Sequence, residues 1–173
     1  QFKKDVDGYL DARRSHLYVH DVARSESMQI TFGDHDEALP AWSPDGRQIA
    51  YITRRGGEPD RHSNFDIYLV EPRAGATERR LTTFDGADND PDLESPISWS
   101  PDGRQLAFVQ GGEDKWIYYA PHQLAIVDVA TGRTRVPAPI DRWFTQPRWS
   151  PDGRSVLALI EQSRVINLSR IEV

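Results

Sequence analysis

Hydrophobic residues in this chain come in short runs and never at helical spacing. "IAYI" (49–52), "IYLV" (67–70), "LAFV" (106–109) and "LAIV" (124–127) are apolar at consecutive positions. Runs of that length, rich in β-branched and aromatic residues and bounded by Gly, Pro and Asp, predict strands buried on both faces. The runs also recur. The hexapeptide "WSPDGR" occurs at Trp42–Arg47, Trp99–Arg104 and Trp149–Arg154, so the tryptophans stand 57 and 50 residues apart. After the first two copies come an apolar strand, a polar or aromatic interval and a second apolar strand. A small-residue turn ("EPRAGATE", "ATGRT") and a short extended segment ("RRLTTF", "RVPAPI") follow.

Each full unit therefore predicts four short antiparallel strands in about 50 residues, the signature of a β-propeller blade. The expected fold class is all-β, a partial β-propeller. Residues 1–32 form the end of one blade ("HLYVHDV", then "MQITF"), 40–84 and 97–140 two complete blades, and 147–173 an incomplete one. About three and a half blades cannot close a ring of typical size, so the chain is expected to be a piece of a larger protein.

The repeated hexapeptide reads as a turn. Pro44, Pro101 and Pro151 preset the second position of a type I turn, Asp45, Asp102 and Asp152 tolerate the third, and Gly46, Gly103 and Gly153 supply the positive φ that follows. Trp42, Trp99 and Trp149 offer apolar surface for packing one blade on the next. A propeller places such turns far apart around a ring, so the three aspartates cannot converge on one ligand. They are structural.

Composition changes the picture in two ways. A net charge of −6 argues against a nucleic-acid partner, and the absence of cysteine removes disulfides and thiolate chemistry. No apolar run is long enough to span a bilayer. The charge is also unevenly placed. The second-to-third-strand loops (4–15, 53–65, 110–122) and the links between blades (33–40, 85–96, 141–147) carry −8 together, which leaves +2 for the rest. These long connections share one end of the expected scaffold, where binding concentrates. The run "DGADNDPDLESP" (85–96) supplies most of the acid through Asp88, Asp90, Asp92 and Glu94. It departs from a calcium loop, with Leu93 where Gly is needed and no Glu at the twelfth place. Two readings remain: a solvated link, or carboxylates that hold a cationic peptide amino terminus. Trp116, Tyr118 and Tyr119 stand in the 110–122 loop, either as a binding group or as the buried start of the next strand. No metal or cofactor is expected.

The unit "P-x-W-S-P-D-G-R-x-(I/L)-A-(F/Y)", followed by "DIYLV" and "RRLT", resembles the TolB-type propeller repeat. The opening "DVDGYLDARRSHLYVHDV" (5–22) is similar to the N-terminal propeller of prolyl oligopeptidase family serine peptidases of the acylaminoacyl-peptidase and dipeptidyl aminopeptidase type. "QITFGDHDE" stands where that pattern ends in "LT". The resemblance implies a C-terminal α/β-hydrolase domain with a Ser…Asp…His triad as partner, short peptides as substrates, and a propeller that gates access to them. The hydrolase signature G-x-S-x-G is nowhere in these residues, and none of the histidines has an evident nucleophile partner, so no catalytic residue is assigned to this chain. The rival expectation is a non-enzymatic, TolB-like protein-binding propeller at the cell envelope. A third is self-association through open propeller edges. The compartment stays open, the cytoplasm favoured over the periplasm.

Overall fold

The structure is a computed structural model that describes residues 13–56, 62–116 and 119–173, together with the backbone of a short antiparallel pair, β1 (Lys3–Lys4) and β2 (Gly8–Tyr9). Tyr118 lies outside the described residues. The described chain is all-β apart from two single-turn 3-10 helices, and every sheet pairing is antiparallel. A hairpin comes first, β3 (Tyr18–Asp21) with β4 (Glu26–Gln29). The first full sheet follows as β5 (Glu37–Trp42), β6 (Ile49–Thr53), β7 (Asp66–Val70) and β8 (Arg79–Arg80), paired in chain order.

The second sheet runs β10 (Ser98–Trp99), β11 (Gln105–Glu113), β12 (Gln123–Asp128) and β13 (Thr134–Arg135), with β9 (Gly86–Asp88) added against the far end of β11. The third sheet is β14 (Phe144–Trp149), β15 (Ser155–Gln162) and β16 (Val165–Glu172). Its last hairpin turns on Ser163 and Arg164, both at positive φ (53° and 65°), the pair a two-residue hairpin of this twist requires.

Burial follows the apolar runs. All five residues of β6 are buried, as are the four inner residues of β12. Because consecutive side chains point to opposite faces, such strands must be covered on both sides. Tyr51 and Ile49 pack toward the hairpin with Leu17 and Ile30. Ala50 and Ile52 face the second sheet's Leu106, Phe108, Ala125 and Val127. The other face of the second sheet, Ala107, Leu124 and Ile126, meets Phe144, Val156 and Ala158 of the third.

The three hexapeptide turns have one geometry. In the first, the amide of Gly46 donates to the carbonyl of Ser43 at 3.0 Å, and Ser43 Oγ donates to Asp45 Oδ1 at 2.7 Å. The amide of Gln48 then donates to Ser43 Oγ at 2.9 Å. Gly46, Gly103 and Gly153 sit at φ 70°, 71° and 69°. The serine hydroxyl holds Asp45, Asp102 and Asp152 below the usual carboxylate range, helped by the amide two residues on.

Beside the turns, Trp99 packs into the first interface and donates from Nε1 to the carbonyl of Ala41 at 2.9 Å. The amide of Trp149 bonds Ser98 Oγ at 3.0 Å, and the ring packs against the second interface. Trp42 is 51% exposed, with no equivalent neighbour among the described residues.

Two segments read as loops carry strands. Residues 86–88 form β9, and β11 continues through Glu113, so the stretches taken as free loops at 85–96 and 110–122 are partly paired with each other. Glycine is the reason: a Cβ on Gly86 would come within 2.3 Å of the carbonyl oxygen of Gly112. Only a backbone without side chains allows that approach. Of the segment "RVPAPI" only Arg135 lies in a strand, paired in β13 together with the preceding Thr134.

Phe108 is fully buried in the first interface. Phe108→Ala is expected to lower the stability of the chain by about 3–5 kcal/mol, and Gly103→Ala by roughly 1 kcal/mol, through the left-handed turn position. Chemical denaturation of the two variants measures both.

Candidate functional site

The long connections gather at one end of the sheets, and β9 with the following turn is their centre. The amide of Asn89 donates to the carbonyl of Val109 at 2.7 Å, while its side chain accepts from the Val109 amide at 3.0 Å and donates to the carbonyl of Ser95 at 2.7 Å. Asn89 is buried at φ 69°, a conformation asparagine tolerates better than other side chains. This clamp fixes the acidic run against the second sheet.

The four acidic residues singled out in the sequence go to different environments. Asp88 is fully buried and accepts a hydrogen bond from Gln110 Nε2 at 2.8 Å. Burial pushes its carboxyl up to about 6, against the pull of the Gln110 bond. Asp90 is half-buried and caps the 3-10 turn Pro91–Leu93, its Oδ1 accepting the Asp92 amide at 2.9 Å. Asp92 and Glu94 are exposed, Glu94 closing the turn at φ 49°. The run therefore holds one buried carboxyl, one half-buried and two exposed.

Of the aromatic group, Trp116 ends a second 3-10 turn (Asp114–Trp116) and is 53% exposed, with Lys115 Nζ 5.6 Å from its ring centre. Tyr119 is 90% exposed, so neither packs in the core. Two residues not singled out in the sequence complete this end. His122 is half-buried and lies 4.3 Å from the Trp143 ring at a tilt of 45°. Burial lowers its pKa, with the Asp90 carboxylate pulling the other way. A lone histidine before a strand gives no such signal; only the pairing of β9 with β11 brings it beside Asp90. A neutral imidazole, a carboxylate and exposed indole and phenol rings can bind a polar, partly aromatic or cationic ligand. Next to them an open cleft of about 420 Å3 runs between Ile140–Arg142 and the face of β15–β16 lined by Ile160, Gln162 and Asn167.

One histidine does meet a hydroxyl, contrary to the sequence reading. His20 Nδ1 lies 3.0 Å from Ser27 Oγ across the first hairpin. Both residues are exposed, and no carboxylate among the described residues is hydrogen-bonded to the other ring nitrogen. Cross-strand register explains the pair, and the third member of a triad is missing.

With this geometry in hand, comparison with known proteins is informative. The chain is 30% identical over 127 residues to the uncharacterized peptidase YuxL of Bacillus subtilis (strain 168), which covers 70% of this chain and 17% of that protein. It is 31% identical over 134 residues to dipeptidyl-peptidase 5 of Porphyromonas gingivalis, covering 76% of this chain and 19% of that one. Among solved structures, TolB from Acinetobacter baumannii superimposes with a TM-score of 0.65 at 21% identity, over 91% of this chain and 35% of that one. The chain has a TolB-like β-propeller fold. That fold is shared here between peptidases and TolB proteins, and no family model matches the sequence. The chain spans less than a fifth of the length of the two peptidases.

Asp88 yields a pH test. Its folded-state pKa stands above the ordinary value of 3.8. Its contribution is therefore full below about pH 4 and is lost as pH rises through about 6, by at most about 3 kcal/mol. Asp88→Asn keeps an acceptor for Gln110 and is expected to flatten stability across that window. Denaturation midpoints at pH 4.5 and 7.5, for both proteins, measure it.

Proposed function

We propose that the chain is a partial propeller of four-stranded blades that gates a serine peptidase for short peptides, with an α/β-hydrolase domain of the same parent protein as its partner. The blades are 40–84 and 97–140, preceded by the end of one at 1–32 and followed by an incomplete one at 147–173. The observation that carries the peptidase reading is the similarity to dipeptidyl-peptidase 5 across 76% of the chain.

An incomplete array has support in the third sheet. By the repeat register, Leu157 and Leu159 occupy the places of Ala107 and Val109, both completely buried, Ala107 against the third sheet. With Ile166 and Leu168, 67% and 69% exposed on the neighbouring strand, they form an apolar face that has no cover. A further sheet of the same kind, from the parent chain, is the occupant whose register and chemistry suit it. Covering that face removes water from leucine and isoleucine side chains each worth about 1.5–3 kcal/mol when fully buried.

In this reading the long-loop end faces the peptidase cavity. Asp90, Asp92 and Glu94 supply negative charge toward a peptide amino terminus, and Trp116, Tyr118 and Tyr119 supply aromatic contact; Asp88 supports them from beneath. A second reading, a non-enzymatic TolB-like binding propeller, draws on the structural likeness to TolB. The two differ in the parent protein. A gating propeller predicts a serine-reactive parent that a fluorophosphonate probe labels, and whose kcat/KM for short peptides with a free amino terminus drops several-fold on Asp92→Asn with Glu94→Gln. A parent that takes no label and hydrolyses no peptide overturns the peptidase reading in favour of the binding one.

A further inference from the structure

A second cluster of ionisable groups lies away from the long-loop site, where the first hairpin packs on the first full sheet. Glu37 begins β5 with its side chain wholly buried. One of its oxygens is committed: Oε2 lies 2.7 Å from His16 Nδ1 and accepts from Thr31 Oγ1 at 3.1 Å. The other is not. Glu37 Oε1 is buried and accepts no hydrogen bond, although His35 Nε2 lies 3.3 Å away and Arg55 Nη2 3.7 Å. His35 Nε2 is likewise buried without a hydrogen-bond partner. Leaving a carboxylate oxygen buried and unbonded is costly, and two orphaned atoms facing one another point to something that sits between them.

The third member is Glu78, just before β8. Ligand atoms of His35, Glu37 and Glu78 all lie within 4.8 Å of one another. Tyr51 donates from its hydroxyl to Glu78 Oε2 at 2.5 Å, as Arg55 does from Nη2. The His35 ring is held in place from below, because it lies over Gly33, where a Cβ would come within 2.4 Å of His35 Cε1.

We propose that His35, Glu37 and Glu78 form a binding site for a divalent transition-metal ion of the zinc class. One imidazole nitrogen and two carboxylate oxygens make a borderline donor set that suits such ions, and a water completes four-coordination. The bonds from His16 and Thr31 to Oε2 turn Oε1 toward the ion, the outer-shell arrangement that ligating carboxylates use. Burial and the nearby Arg55 charge lower the pKa of His35, which keeps the ring in its neutral, ligating form at pH 7. Arg55 is the internal competitor. Its guanidinium, stacked 4.3 Å from the Tyr68 ring centre, bridges toward both carboxylates and moves off them when a metal binds. His35 and Glu37 are separated from Glu78 by most of the first sheet, so sequence spacing gives no hint of the set. It departs from the expectation that the chain binds no metal.

Titration of Zn2+ into the metal-free chain against a chromophoric chelator tests this. One saturable site is expected, weakened at least tenfold by His35→Ala and strengthened several-fold by Arg55→Ala. Loading with Co2+ should give a visible ligand-field band that Glu78→Gln, on the partly exposed side of the cluster, diminishes. Circular dichroism identifies any variant that fails to fold, and the Glu78→Gln and Arg55→Ala results then decide. No saturable binding, equal binding by wild type and a folded His35→Ala variant, or an unchanged affinity on Arg55→Ala overturns the site. Equal binding by the His35→Ala variant would assign the metal to other histidines.

Discussion

A sheet that is apolar on both faces has to be covered on both faces, and the architecture of this chain follows from that constraint. The apolar runs of β6 and β11–β12 put side chains on alternate sides of each strand. Neither sheet can then rest on water on either side. The hairpin β3–β4 covers one side of the first sheet, the second sheet covers the other, and the third sheet covers the far side of the second. Stacking sheet on sheet satisfies every one of these strands.

The repeated turn serves this stacking in two ways. Its serine, aspartate and glycine close the hairpin at the same register three times, so equivalent residues meet equivalent neighbours. The tryptophan before it ties adjacent sheets together, as Trp99 does through the carbonyl of Ala41. With one end of every sheet held by short turns, variation collects at the other end. There the Asn89 clamp and the pairing of β9 with β11 hold the Asp90 carboxylate within electrostatic reach of His122, whose ring meets Trp143. A rigid scaffold with varied connections at one end suits recognition.

The strands and turns were legible in the sequence because they depend on local rules: apolar runs between turn residues, and Pro-Asp-Gly in a fixed order. The candidate site was legible only in outline. Negative charge at 85–96 marks the right segment, yet it does not show that Asp88 points inward and Glu94 outward, because that depends on the partner strand supplied by Gln110–Glu113. The pairing of His122 with Trp143 is invisible in the sequence for the same reason. The Glu37 network is further from view, since it joins residues from a hairpin, a strand and two loops that come together only when the first hairpin packs on the first sheet. Where a property is set by one strand, the sequence shows it; where it is set by which segments pack together, it does not.

The third sheet is where the account is most exposed. Val156 and Ala158 are buried against the second sheet while Leu157 and Leu159, on the opposite face, are not. If two-sided cover governs the fold, β15 and β16 are stable only when another sheet lies on that face. Amide hydrogen exchange measured on this chain alone and within the longer parent protein proposed above addresses this directly. The account predicts strong protection of β11 and β12 in both, and protection of β15 and β16 that rises at least tenfold in the parent. Equal protection of β15 and β16 in the two proteins would contradict it.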